Sequence, residues 1–98
     1  MLNKSDKTLL IKASLTDDVR YQIGKNGLTD TTISMFLKAL EARELLKINV
    51  MKNCTFSIEE LCIELANTLK CNIVEKKGNS ILIFKKRKSD SRFKNIND

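Results

Sequence analysis

The sequence predicts an α/β fold: a single small domain running helix, strand, helix, strand, helix, strand, strand, with a four-stranded mixed sheet and helices packed on it. Three observations carry this expectation. Apolar residues recur at helical spacing over residues 30–43 and again from Ser57 to Leu69. Short alternating apolar and polar runs precede and separate those stretches, as half-buried strands require. The last two runs flank Lys77-Gly78-Asn79, a hairpin signal. Strands joined through helices tend to run parallel by right-handed crossovers, and the terminal hairpin adds an antiparallel pair.

Residues 5–15 form the first helix, with Leu9, Leu10 and Ala13 facing the interior. Val19-Arg20-Tyr21-Gln22-Ile23 alternates and forms the first strand, ending at a turn between Gly24 and Gly27. Thr29 is placed to cap the second helix, with Asp30 in its first turn, where the dipole favours an anion. Ile33, Phe36, Leu37 and Leu40 make its apolar stripe, and the helix runs to about Arg43. Leu46-Lys47-Ile48-Asn49-Val50 is the second strand. Ser57-Ile58-Glu59-Glu60 has the form of a capping box and opens the third helix. Ile58, Leu61, Cys62, Leu65, Ala66 and Leu69 form its buried stripe, while Glu59, Glu60 and Glu64 occupy its exposed side. Ile73-Val74-Glu75-Lys76 and Ser80-Ile81-Leu82-Ile83-Phe84 complete the sheet.

A chain of 98 residues with 42% hydrophobic content suffices for one core without disulfide or metal support. No apolar run reaches the length of a membrane span, and Met1-Leu2-Asn3-Lys4-Ser5 lacks the features of a signal peptide, so a cytoplasmic location is expected. Cys54, Cys62 and Cys71 are widely spaced and the chain has no histidine, which argues against a structural zinc site or an activated cysteine nucleophile. The Glu59, Glu60 and Glu64 cluster has no partner base and reads as a solvated helix face. An enzyme, a cofactor and a small-molecule substrate are therefore not expected.

The net charge is +6, unevenly spread. Residues 85–98 hold six basic residues against two acidic ones, whereas the other 84 residues carry only +2. Charge alone thus says little about an RNA-binding body. The stronger signal is Gly24-Lys25-Asn26-Gly27, a Gly-x-x-Gly turn opening into a helix. Two glycines permit close backbone approach, and Lys25 puts a cation at the tip. A GXXG loop clamps the nucleotide backbone in single-strand RNA-binding KH modules. A plain strand-to-helix turn explains the same two glycines.

The runs Gln22-Ile23-Gly24-Lys25-Asn26-Gly27-Leu28-Thr29-Asp30 and Ala39-Leu40-Glu41-Ala42-Arg43-Glu44-Leu45-Leu46-Lys47-Ile48-Asn49-Val50 strongly resemble the YhbY family, the bacterial form of the CRM domain. The resemblance extends without gaps from about Leu2 to Lys85. It implies a CRM-type RNA-binding domain over residues 1–85, similar in fold to the C-terminal domain of translation initiation factor 3. It further implies association with ribosomal RNA or precursor ribosomal subunits; a monomer is expected. Residues 86–98 are then a basic, flexible tail that contacts RNA diffusely or only solubilises the chain.

On that reading Gly24 and Gly27 admit the RNA backbone, and Lys25 and Asn26 contact phosphate or sugar. Lys38, Arg43 and Lys47 are candidates for a basic surface continuous with the turn. Against this, Arg43 equally suits the negative end of its helix, Lys47 a solvated strand position, and Lys38 a solvent-facing one. Tyr21 groups with the core by alternation, although it could stack on a base. Two rival functions remain: a protein–protein adaptor using the sheet or the acidic third helix, and an initiation-factor-like regulator of mature subunits.

Overall fold

A computed structural model describes residues 2–17, 19–94 and 96. Asn3 opens the first element. Its side chain accepts from the Asp6 N–H at 2.8 Å while the Asp6 carboxylate accepts from the Asn3 N–H at 3.3 Å, satisfying two donors that a helix start would leave orphaned. The helix that follows, α1, spans Lys4–Ser14. Its inward stripe is Leu10 and Ser14, flanked by Ile11 and Ala13. Leu9, expected inside, is 47% exposed because it lies a quarter-turn from that stripe.

Thr29 caps α2 (Asp30–Arg43) by accepting from the Thr32 N–H at 3.2 Å, and Ser57 caps α3 (Ile58–Leu69) by accepting from the Glu60 N–H at 3.1 Å. Helix α2 buries Phe36 and Leu40 and half-buries Ile33, leaving Leu37 largely outside. Helix α3 follows its predicted stripe closely, with Leu61, Cys62, Leu65 and Leu69 buried. Burial pushes the Cys62 thiol above its ordinary 9.0, so it sits in the core as a protonated, apolar group.

The strands are β1 (Arg20–Ile23), β2 (Leu45–Val50), β3 (Asn72–Lys77) and β4 (Ser80–Phe84), ordered β1-β2-β4-β3. Strand β1 pairs parallel with β2, in a register that sets Ile23 beside Val50. Strand β4 runs antiparallel to both β2 and β3, so it inserts between two strands that share a direction. Period-two alternation then divides the sheet. One face sends Ile23, Leu46, Ile48, Ile81 and Ile83 against α2 and α3. The other sends Leu45, Leu82 and Phe84 against Leu10 of α1 and against a second group of side chains, Phe93 and Ile96, that come from beyond β4. Among the described residues no helix is long and apolar enough to cross a membrane.

That last contact revises the expectation of a loose segment after residue 85. Phe93 and Ile96 are buried, and the Phe93 ring meets Phe84 edge-on at 5.4 Å. The residue that holds the segment down is Glu44. It stands at the C-cap of α2 with φ of 68°, and its side chain is fully buried. Its carboxylate accepts from Arg87 N–H at 3.0 Å, from Arg92 N–H at 2.6 Å and from the Ser91 hydroxyl, with the Arg87 guanidinium 3.6 Å away. Burial alone would raise the Glu44 pKa, but these donors outweigh it and hold the carboxyl below its ordinary 4.5.

A group depressed in this way contributes stability that is present above its unfolded pKa and lost as pH falls through its folded pKa. Glu44→Gln is therefore expected to lower stability at neutral pH by roughly 2–3 kcal/mol, since bonds to an ionised acceptor are the strong ones. The gap to wild type should narrow as the pH falls below about 4.5, read as urea midpoints across a pH series. Truncation after Phe84 removes two buried side chains, each contributing about 1.5–3 kcal/mol. It should cost several times the ~0.5 kcal/mol typical of exposed terminal changes.

Candidate nucleic-acid interface

Strand β1 ends at Ile23, and the chain reverses at once. The Gly27 N–H donates to the Gly24 carbonyl at 3.1 Å, closing a β-turn over residues 24–27. The N–H groups of Lys25 and Asn26, at its exposed tip, have no acceptor among the described residues. Successive free N–H groups at a turn are a kind of arrangement that can accept an anion. The Lys25 side chain is exposed beside them and forms no ion pair among the described residues.

The two glycines differ. Gly27 is buried with φ of +67°, and a Cβ there would lie 2.7 Å from Cδ2 and Cε2 of Phe56. Its lack of a side chain is thus required inside the protein, by backbone conformation and by the ring laid on it. Gly24 is half-buried at an ordinary φ, and a Cβ there would meet Met51 Sδ at 3.7 Å, normal van der Waals contact. Only Gly24 leaves room for the close approach expected of both.

Strand β2 ends beside β1, so the connection from β2 to α3 runs along the turn. The Met51 N–H donates to the Ile23 carbonyl at 2.9 Å, and the Thr55 hydroxyl reaches the Lys25 carbonyl at 3.4 Å. In this 51–57 loop Met51 and Phe56 lie against Gly24 and Gly27, and Lys52 and Asn53 are exposed. Nothing in the composition of residues 51–57 marks them as a site in the sequence. Phe56 directly precedes a helix cap, a position that ordinarily suggests a hydrophobic staple rather than an exposed ring.

Other candidates fall elsewhere. Arg43 Nη1 pairs with the Asp17 carboxylate at 3.3 Å, and Lys47 Nζ donates to the Asp17 carbonyl at 3.0 Å. Both are half-buried and tie the α1–β1 connection to α2 and β2, a role not foreseen for either. Lys38 is exposed on α2, sharing a face with Thr31 and Ser34, and lies about 12 Å along the axis from the helix start. Tyr21 is half-buried and meets Phe36 edge-on at 5.8 Å, as a core residue would. Beyond β4, Lys85 Nζ donates to Leu69 O, Lys86 Nζ to Ile96 O, and Arg87 and Arg92 to carbonyls at the end of α2. These four cations serve the fold. On α3, Glu59 approaches Lys76 at 3.8 Å and Glu60 accepts from the Ser57 hydroxyl at 3.2 Å.

The chain matches the family model described as the CRS1 / YhbY (CRM) domain over residues 2–85. It is 33% identical over 72 residues to the Bacillus subtilis (strain 168) protein named "Probable RNA-binding protein YqeI", covering 74% of this chain and 75% of that one. Its fold is similar to the solution structure of the Staphylococcus aureus hypothetical protein SAV1595, described as a candidate RNA-binding protein. The TM-score is 0.75 and the identity 30%, over 93% of this chain and 95% of the other.

The asymmetry of the turn is directly testable. Gly27→Ala should destabilise the fold by about 1–3 kcal/mol from the left-handed backbone alone, with more from the clash. Gly24→Ala should shift the urea midpoint little. Adding Phe56→Ala to Gly27→Ala should recover the steric part only, leaving the backbone part in place.

Proposed function

The chain belongs to the CRS1 / YhbY (CRM) domain family, and on that premise we propose that it is a non-catalytic RNA-binding protein. The 24–27 turn holds the backbone of a single strand. The observation that carries this reading is the exposed turn tip, where the Lys25 and Asn26 N–H groups have no acceptor among the described residues and the Lys25 side chain is exposed. Phosphate oxygens are the acceptors such a tip suits, and a lysine adds a mobile point charge. Gly24 lets the strand come close, and Asn26 offers an amide to phosphate or ribose. Lys38 extends the positive surface along α2, whereas Arg43 and Lys47, bonded to Asp17, contribute position more than affinity. The names of the relatives point to the same class of ligand.

Within that class, the RNA is ribosomal, in a precursor subunit, and the protein acts as a cytoplasmic monomer during subunit assembly. The family resemblance supports this finer reading. Contacts to phosphate carry no base information, so the turn supplies affinity and register rather than sequence choice.

A salt titration of binding to single-stranded RNA tests the assignment. Lys25→Ala should weaken binding and reduce the slope of log affinity against log salt by roughly 0.7, the share of one phosphate contact on a single strand. The same change at Lys88, exposed beyond β4, should leave the slope nearly as it was. Equal slopes for wild type and Lys25→Ala would remove the turn from the interface. Co-sedimentation with precursor rather than mature subunits in cell lysates checks the assembly role.

A further inference from the structure

Two large apolar side chains are exposed on the rim of the turn, and both belong to the 51–57 loop. Met51, 44% exposed, lies against Gly24, and Phe56, 43% exposed, lies against Gly27. The Phe56 ring is not a loose surface group. Its Cδ2–Cε2 edge rests where a Gly27 side chain would have to be, so the turn gives up a Cβ to seat it. A ring fixed in this way loses little further freedom when something stacks on it. It also leaves much of its apolar surface in water, and each of the two loops carries an exposed lysine, Lys25 and Lys52. Of the acidic groups on the flanking helices, Glu59 is turned to Lys76 and Glu60 to Ser57, while Asp30 stands exposed in the first turn of α2.

We propose that Phe56 is the stacking surface for one unpaired base of the strand whose backbone lies on the 24–27 turn. This deepens the RNA-binding reading and rests on it. A nucleotide offers a negative phosphate and an apolar π-face, and the two adjoining loops offer a complement to each, a cationic turn tip and an exposed ring. The cationic tip takes the phosphate, and the fixed ring takes the base. Every base has a π-face, so the contact favours unpaired over duplex RNA without choosing a sequence. Lys52, on the same loop, stands where a neighbouring phosphate can reach it.

The test compares a short oligoadenylate with an abasic ribose-phosphate oligomer of the same length. Wild type should prefer the oligoadenylate. Phe56→Leu keeps apolar bulk over Gly27 but has no π-face, and it should bind oligoadenylate roughly 5- to 100-fold more weakly. It should approach the abasic affinity with an unchanged salt slope. The chain has no tryptophan, so Phe56→Trp places a single reporter at the site. Its fluorescence should be quenched by oligoadenylate and not by the abasic oligomer. Equal, salt-dependent binding of both oligomers to wild type would overturn the stacking role while leaving backbone capture standing. Binding of neither oligomer at low salt would overturn both. If Phe56→Leu is less stable in urea, the wild-type comparison and the Phe56→Trp signal decide the matter alone.

Discussion

The parallel pairing of β1 with β2 is the constraint on which the proposed site depends. Parallel strands in register end together, and here Ile23 lies beside Val50, with the ladder extended by the Met51 N–H on the Ile23 carbonyl. The two connections that leave these strands therefore emerge side by side, although 27 positions separate Gly24 from Met51 in the chain. Outside the carboxyl ends of parallel strands is where α/β proteins ordinarily hold their ligands, because backbone and side chains from separate loops converge there. Neither loop would suffice alone. The 24–27 turn brings donors and a cation but no apolar surface, and the 51–57 loop brings the apolar surface.

A second constraint operates at the opposite ends of the same strands. Glu44 immediately precedes β2 and takes a left-handed conformation that ends α2 and turns the chain into the sheet. Its N–H donates to Leu40 O at 2.7 Å, its carbonyl accepts from Lys85 N–H at 2.9 Å, and its carboxylate gathers the chain beyond β4. A buried carboxylate is tolerated only when its lone pairs are satisfied, and here three donors and a guanidinium do so. This bears on function through charge. The most basic segment of the chain spends Lys85, Lys86, Arg87 and Arg92 on internal acceptors, so the formal +6 overstates the cationic surface that faces a ligand. On the proposed reading, the exposed lysines of the two loops, Lys25 and Lys52, supply the cations for the ligand.

Much of this was legible in the sequence, for physical reasons. All seven elements carry a clear period or an explicit cap, and Thr29 and Ser57 sit where their hydroxyls must be. Periodicity could not place β4 between β2 and β3, because alternation fixes which face a residue lies on and not which strand is its neighbour. It also missed Phe93 and Ile96. Two apolar residues in a charged run show no pattern, and their burial depends on a carboxylate some fifty positions earlier. In the site, the glycine turn stood out by composition, but the distinction between Gly24 and Gly27 did not. That distinction depends on φ and on a ring from a distant loop. Arg43 and Lys47 looked like surface cations because Asp17, their partner, lies in a connection with no regular pattern.

The central claim is that single-stranded RNA is held across the two loops at the carboxyl ends of β1 and β2. Amide chemical-shift perturbation during titration of the full chain with a short single-stranded RNA tests it most directly. The account predicts that the shifts concentrate on residues 24–27 and 51–56, with smaller changes along the Lys38 face of α2 and little on the acidic side of α3. Shifts centred on α3, or on residues 85–94, with the two loops unmoved, would contradict it.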